Sequence, residues 1–429
     1  MKIVLIQPPS ETPSLKVPPL GLAYITTILK RDNIDTKIID LNVESINLCE
    51  YLKREKPQVI GISSIVTNAR QALEIASQSK KLLPESFVVM GGPYPSMMGP
   101  RLLTRHDDVD ATFIGEAEFA FLELVKRLFN GKNLGDIEGL IFREDNRIRS
   151  NQLSKAVFPL DQIPYPAREE LPMHLYIENA GSIFTSRGCP QRCIFCSRPV
   201  FGRKWRGYSA DYVLEEIAHL RDTYGISNLN ILDDNFTFDL VRAEKILDGI
   251  IAKRWGLKIY FWNGLRVDHM TRNLLLKIKR AGCLAINYGV ESVEPDVLSF
   301  IRKGISLAQI EEAVKLTREL GIRANVFLMI GNPGDNLKVV DRILGFVRKM
   351  GVDGVHLSLA TPLLGTKFWD WVEKNGSWLN YDRKELLDWP IDDIEEAYPV
   401  FETPDFTAEE RIKAYRKTRN LLKKMGLLL

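Results

Sequence analysis

Short apolar runs alternate with helix-period stretches through the first third of the chain. The runs Ile3–Ile6, Lys37–Asp40, Val59–Ser63, Phe87–Gly91 and Ala111–Gly115 predict strands, since each is short and is followed by small or turn-forming residues. Between them Leu20–Arg31, Ala69–Leu83 and Glu118–Phe129 carry apolar positions at helical spacing. Strands alternating with helices imply a parallel, doubly wound α/β sheet. Leu140–Arg143 and Arg147–Ser150 suit a hairpin around Asp145-Asn146. Pro159, Pro164, Pro166 and Pro172 then bias the chain away from helix, which reads as an extended connector. This divides the sequence into a domain over 1–150 and a linker over 151–179.

From residue 180 a second pattern repeats. Helical stretches end at Gly225, Gly256, Gly282, Gly321 and Gly351, spaced by roughly 30 residues, the size of a βα unit. Each glycine suits a left-handed helix C-terminus. A strand-like run follows each one: Leu229–Leu232, Ile259–Trp262, Leu284–Tyr288, Ala324–Ile330 and Val355–Leu359. With Ser182–Ser186 in front, six βα units predict a partial barrel over 180–365, open on one side. Ser306 with Gln309 and Thr407 with Glu410 are capping-box pairs that mark two helix starts. Residues 366–429 read as a small, mostly helical region. Trp369, Trp371, Trp378 and Trp389 there predict aromatic packing under a cap, with a substrate lid or membrane contact as the alternative. The final helix, Ala408–Lys424, carries Arg411, Lys413, Arg416, Lys417, Arg419, Lys423 and Lys424, either a solvated face or one that touches acidic lipid.

The polar residues of the barrel region gather behind its strands. They are Asp233-Asp234-Asn235, Asn263 with Arg266, Gly289-Val290-Glu291-Ser292, Gly331-Asn332-Pro333-Gly334, and Thr361-Pro362. Barrel enzymes place their active sites at the carboxyl ends of the strands, so this sorting predicts one shared site. In the first domain Gln7-Pro8-Pro9, Ser63-Ser64, Gly91-Gly92-Pro93 and Gly115-Glu116 occupy equivalent places, at the crevice where doubly wound folds bind ligands.

Composition narrows the class. A 45% apolar share supports ordinary globular cores, and 58 basic against 55 acidic residues leave +3, too little to predict a nucleic-acid partner. The apolar run at the start is too short for a signal peptide, and no run is long enough for a transmembrane helix. The five histidines show no metal-binding spacing. Five cysteines, three of them clustered, fit a reduced cytoplasmic metal protein, not a disulfide scaffold.

Those three are Cys189, Cys193 and Cys196, within Cys189-Pro190-Gln191-Arg192-Cys193-Ile194-Phe195-Cys196. Thiolates are soft ligands for zinc or iron–sulfur clusters. Closed sites normally want four protein ligands. Cys49 and Cys283 both sit in apolar-patterned stretches, so the trio suggests a cluster with one open iron. A zinc knuckle and a redox thiol pair remain the plainer alternatives.

The Cys-x3-Cys-x2-Cys spacing, with Phe195 before the last cysteine, resembles the signature of the radical S-adenosylmethionine (SAM) enzymes. The resemblance implies that Cys189, Cys193 and Cys196 hold a 4Fe-4S cluster whose open iron chelates SAM, cleaved by one electron to a 5′-deoxyadenosyl radical. It implies SAM contacts at Phe195, Asp233, Asp234, Asn235, Arg266, Glu291, Ser292, Asn332 and Pro333. Asp-Asp-Asn stands where the family usually has Gly-Gly-Glu; these carboxylates hold the SAM ammonium or merely order the loop. Arg266 pairs with the SAM carboxylate or forms a barrel salt bridge. Glu291 matches a ribose-hydroxyl acceptor, and Gly331–Gly334 the motif beside adenine.

The leading domain resembles the cobalamin-binding domain of one radical SAM subgroup, through Val17-Pro18-Pro19-Leu20-Gly21-Leu22-Ala23-Tyr24, Gly61-Ile62-Ser63-Ser64, Gly91-Gly92-Pro93 and Gly115-Glu116-Ala117-Glu118. Cobalamin contacts are then expected at Pro18, Leu20, Gly21, Ser63, Ser64, Thr67, Gly91, Gly92, Pro93 and Glu116. The Asp-x-His-x-x-Gly motif that supplies a lower cobalt ligand is absent. A methylthiotransferase-like leading domain would need three cysteines where this one has only Cys49. The resemblance implies an anaerobic, cobalamin-dependent radical SAM methyltransferase acting on an unactivated carbon of a small-molecule or lipid-like substrate. It also implies a reductant such as flavodoxin or ferredoxin, and a cytoplasmic location or one peripheral to the membrane. Radical cyclisation or rearrangement, a radical enzyme that has lost cobalamin, and an iron–sulfur sensor are the alternatives.

Overall fold

The computed structural model describes residues 2–10, 16–145, 147–153, 155–379 and 399–429. It forms two compact units, one of residues 1–180 and 198–206, the other of residues 181–197 and 207–429.

The first unit is built on one sheet: β1 (Ile3–Gln7), β2 (Thr36–Asp40), β3 (Val59–Ser63), β4 (Phe87–Gly91), β5 (Ala111–Phe113), β6 (Leu140–Glu144) and β7 (Arg147–Ser150), in the order β2-β1-β3-β4-β5-β6-β7. The first five strands run parallel, and β6 and β7 add antiparallel to the edge. Strands such as Val59–Ile62 are buried, as expected when helices cover both faces. Three of the helices are α1 (Leu20–Arg31), α2 (Leu48–Glu55), which the apolar pattern had not marked, and α3 (Ala69–Leu82). The chain order reverses between β1 and β3, so the ligand crevice of this topology lies at their carboxyl ends.

The stretch expected as a linker belongs to this unit. Ala167 N–H donates to the Ala23 carbonyl (3.1 Å) and Thr27 Oγ1 to that of Tyr165 (2.8 Å), which bind the proline-rich segment to α1. Tyr176 donates to Asp40 Oδ2 (2.8 Å), and burial lifts the Asp40 carboxyl to about 6. The first unit also takes residues 198–206, beyond the cysteines, which sequence alone assigned to the barrel.

In the second unit the strands Ser182–Ile183, Asn228–Ile231 and Lys258–Phe261 form one parallel sheet. Ala285–Glu291, Arg323–Ile330 and Gly354–Leu359 form another. Single bridges, Ile259 to Cys283 and Leu265 to Tyr288, join them, so the six strands follow one another in chain order as a partial barrel. Its two faces can be told apart by partner. Tyr288 reaches Thr317 of the helix Leu307–Glu319 at 2.6 Å, on the outer layer, so Asn287 and Gly289 face inward. Asn287 accepts from Asn325 (3.0 Å), and His356 stacks on Phe327 with centroids 4.7 Å apart.

Gly225, Gly282 and Gly351 are left-handed helix caps as expected. Gly321 is one too, at φ +70° just after Leu320, with Ile322 N–H donating to the Thr317 carbonyl (3.1 Å). One expected cap differs: Arg254 takes the left-handed position before Gly256. Both capping boxes form. The C-terminal residues pack into the second unit, where Val355 N–H donates to Leu427 and Leu429 N–H to Val355 (2.7 and 3.1 Å). Trp369 packs on Trp378 (4.4 Å) and Trp371 on Phe300 (5.8 Å); Trp389 lies outside the described residues.

Candidate active site

The cysteine loop leaves the first barrel strand and is pinned at its middle. Ile194 donates to the Ile301 carbonyl (3.0 Å) and accepts from Phe368 N–H (3.1 Å). Cys189 and Cys193 are buried, Cys196 is half-buried, and none forms a disulfide. Among the described residues, no three His, Cys, Asp or Glu side chains converge as ligands of one metal ion. Three thiols on one loop are the ligand set that a cubane with one open corner takes, each thiolate on a different iron. Asn235 Nδ2 reaches Cys189 Sγ at 3.9 Å, the kind of contact that tunes a cluster. Burial pushes the Cys283 thiol up to about 12, while Cys49 contacts Gln78 (3.8 Å).

The strand ends bring several expected SAM residues to this side of the barrel. Asp233 is buried and accepts from Thr185 N–H (2.6 Å), Thr185 Oγ1 (2.5 Å) and Ser186 Oγ (2.6 Å). Burial still drives its carboxyl above the usual range. These bonds tie the loop to Thr185 and Ser186; Asp234 beside Asp233 is exposed. The guanidinium of Arg266 lies on Asp268 (Nε 3.0 Å, Nη2 2.8 Å) and on the carbonyls of Lys303 (3.2 Å) and Gly304 (3.4 Å). That is a barrel salt bridge, and it occupies the atoms that were expected to grip a ligand carboxylate.

Glu291 sits at a bulge with φ +69°, a conformation a non-glycine residue adopts only under constraint. Lys303, which no sequence signal marked, donates to Glu291 Oε1 at 2.8 Å and lies 5.7 Å from the centre of the Phe195 ring. Ser292 is buried and caps the next turn by accepting from Glu294 N–H (3.2 Å).

The 331–335 loop is held from two sides. Asp335 Oδ2 accepts from Gly331 and Asn332 N–H (2.9 Å each), and burial lifts its carboxyl to about 7. Arg411 Nη1 donates to the Gly331 carbonyl (2.8 Å), and its guanidinium lies over Phe401 and Phe406. Burial pulls Arg411 down to about 10. The basic face expected on the last helix is therefore wrong for Arg411, which is 2% exposed; Lys413, Arg416, Lys417, Lys423 and Lys424 are exposed. Asn332 is buried, and its Oδ1 has no hydrogen-bond partner. Pro333 is buried beside it.

In the first unit, Gly92 opens the turn after β4 at φ +97°, where a Cβ would lie 2.8 Å from the Ser64 carbonyl. Beyond Gly91 a Cβ would meet nothing within 4 Å, so the backbone there is open to a ligand. Thr67 Oγ1 and Asn68 Nδ2 are buried without partners just after β3. A buried orphan costs roughly 1–3 kcal/mol, and two beside a glycine-lined crevice fit the polar tail of a large cofactor. Asn68 was not expected; Ser64 donates to its Oδ1 (3.3 Å). Pro18 and Leu20 are buried at the start of α1, whereas Gly21 and Pro93 are exposed. Ser63 is half-buried near Gly92. Glu116 forms a buried bidentate ion pair with Arg206, so its carboxylate is already occupied.

A parallel domain with an open crevice, followed by a partial barrel with a three-thiol loop, defines a radical SAM enzyme with a cobalamin-binding domain. The Radical SAM superfamily model matches residues 183–347, and the B12 binding domain model matches 10–125. Over 429 aligned residues the chain is 33% identical to an uncharacterized methyltransferase of Pyrococcus horikoshii, covering 97% of this chain and 91% of that one. The chain thus belongs to the B12-binding radical SAM family. It is 25% identical to the cytidylyl-2-hydroxyethylphosphonate methyltransferase of Streptomyces wedmorensis, covering 85% of this chain and 80% of that one. Anaerobic magnesium-protoporphyrin IX monomethyl ester cyclases match at 23–27% identity. Among solved structures, the radical SAM methyltransferase TsrM from Kitasatospora setae shares the fold, with TM-score 0.75 at 18% identity, over 89% of this chain and 77% of that one.

Proposed function

We propose that the protein is a cobalamin-dependent radical SAM methyltransferase acting on an unactivated carbon of a small or lipid-like molecule. The reading is carried by the three-thiol loop and the orphaned crevice after β3 in a single chain that aligns almost end to end with a methyltransferase. Cys189, Cys193 and Cys196 would hold the cluster; Ser63, Thr67, Asn68 and the Gly91-Gly92 turn would hold cobalamin's tail. When bound, the cluster supplies the electron that cleaves SAM, and cobalamin supplies the methyl group. Phe195, Glu291, Ser292, Asn332 and Pro333 would frame SAM, with Asp233 and Asn235 ordering the loop beside the cysteines. An electron donor of the flavodoxin or ferredoxin class suits the one-electron step. Thiols free of disulfides suit a reducing cytoplasm.

The test is anaerobic reconstitution with iron, sulfide and hydroxocobalamin, then cobalt and iron per chain and the products from SAM. About one cobalt with about four irons, and 5′-deoxyadenosine together with a methylated product, is expected. A Cys193→Ala variant should form no 5′-deoxyadenosine; full cleavage would sink the cluster assignment. Iron without cobalt would remove the support for methyl transfer. A rearranged, unmethylated product would establish the cyclase alternative.

A further inference from the structure

We infer that Lys303 is a positioning residue that couples the cysteine loop to Glu291, setting both for the ribose diol of SAM. The inference rests on the reading of Glu291 as a SAM contact. It goes further by assigning the side chain that holds Glu291 in place.

Four observations meet at Lys303. Its side chain is 10% exposed, so its ammonium is largely removed from water. Its backbone is fixed on both sides, with N–H donating to the Leu298 carbonyl (3.1 Å) and carbonyl accepting from Arg266 (3.2 Å). Its Nζ donates to Glu291 Oε1 (2.8 Å) and stands over the Phe195 ring. A Cβ on Gly289 would lie 2.9 Å from Lys303 Nζ and 3.0 Å from Glu291 Oε1. The pair therefore lies directly over Gly289, in space that any other residue would fill.

The physical consequence is a link between two loops. A largely buried ammonium needs a counter-charge, and Glu291 provides it. In return the ammonium fixes which oxygen of Glu291 is taken, leaving Oε2 as the acceptor for a ligand hydroxyl. The turn that carries Lys303 also carries the Ile301 carbonyl that holds Ile194 in the cysteine loop. The cation over Phe195 is a second tie between the same two segments. A displacement of Glu291 is thus felt at Ile194 and Phe195, the two residues between Cys193 and Cys196, and the reverse.

The experiment uses the reconstituted full chain and reads SAM binding by equilibrium dialysis and by the change in the electron paramagnetic spectrum of the reduced cluster. Neither readout needs a methyl acceptor, so failure of the methyl-transfer reading would show separately. With iron content equal to wild type, Lys303→Met should bind SAM about tenfold more weakly, and Lys303→Arg should recover most of the loss. Gly289→Ala, which displaces the pair without removing its charge, should weaken SAM similarly. On a Glu291→Gln background, Lys303→Met should add less than about twofold. SAM binding by Lys303→Met within about twofold of wild type would overturn the proposal. An undiminished Lys303→Met effect on the Glu291→Gln background would do the same. Loss of iron in both Lys303→Met and Gly289→Ala would also overturn it, placing Lys303 in construction of the cluster loop instead.

Discussion

Glu116 offers a direct contest between two roles, cobalamin contact and structural counter-ion. Its side chain is 4% exposed and that of Arg206 1%, and the two form a bidentate pair. Removing one partner of a buried ion pair strands the other and costs about 3–5 kcal/mol. Arg206 also donates to the Val157 carbonyl at 2.9 Å, so Arg206→Met orphans a further acceptor, worth roughly 1 kcal/mol more. For a unit of this size each kcal/mol moves the melting point by about 2–4 °C. Glu116→Gln should therefore lower the first unit's transition by roughly 6–20 °C, and Arg206→Met by somewhat more. The double variant Glu116→Leu/Arg206→Met should melt above the sum of the single losses, because neither charge is stranded. Calorimetry of the apo chain reads this, and cobalt per chain after reconstitution reads cofactor retention. If the ion pair is what matters, both single variants lose cobalamin together, through weakened packing. The reasoning is refuted if Glu116→Gln melts within about 2 °C of wild type. It is equally refuted if Glu116→Gln loses cobalamin while Arg206→Met keeps it.

Three further outcomes follow. Asp335 has a folded carboxyl value near 7, above its unfolded one, so the fold prefers its neutral form; wild-type stability should fall as pH rises from about 4 to 7, and Asp335→Asn should flatten that part of a melting-point profile, an unchanged slope contradicting the assignment. Gly92→Ala must push a Cβ toward the Ser64 carbonyl at a positive φ, so it should cost about 1–3 kcal/mol in denaturant unfolding and reduce bound cobalt. Thr67→Val removes an orphaned hydroxyl and should leave the apo melting point unchanged or raised while weakening cobalamin retention; full retention would argue that the hydroxyl meets no ligand.

Much of this architecture was legible in the chain because it is written locally. The strands from Val59 to Ser63 and from Phe87 to Gly91 have the bounds of the apolar runs that predict them. The capping boxes at Ser306 and Thr407 form as their spacing implies, since a side chain three residues away decides them. The cysteine trio is marked as a candidate metal site by ligand type and spacing, and its resemblance to the radical SAM signature points to a cluster. What sequence missed lies in pairings that span long separations. Arg411 reads as one more cation on a charged helix; only folding reveals that it crosses 80 residues to the Gly331 carbonyl. Arg206 meets Glu116 across 90 residues, and Tyr176 meets Asp40 across 136.

The sequence by itself determined the class of fold, the order of its two parts, the three-thiol motif and the strand ends at which a site could form. Hydrophobic period, turn chemistry and thiolate softness act over a few residues, and a linear pattern carries them intact. Tertiary structure alone decided which polar side chains at those strand ends are already committed to one another. Asp233, Arg266 and Glu116 look like ligand contacts in the chain, yet the fold gives each of them protein partners. Lys303 and Asn68 look ordinary in the chain, yet the fold sets Lys303 on Glu291 and buries Asn68 beside Ser64. Burial and distance set that division, because a buried charge or donor must find a partner and only the folded chain says which one is near.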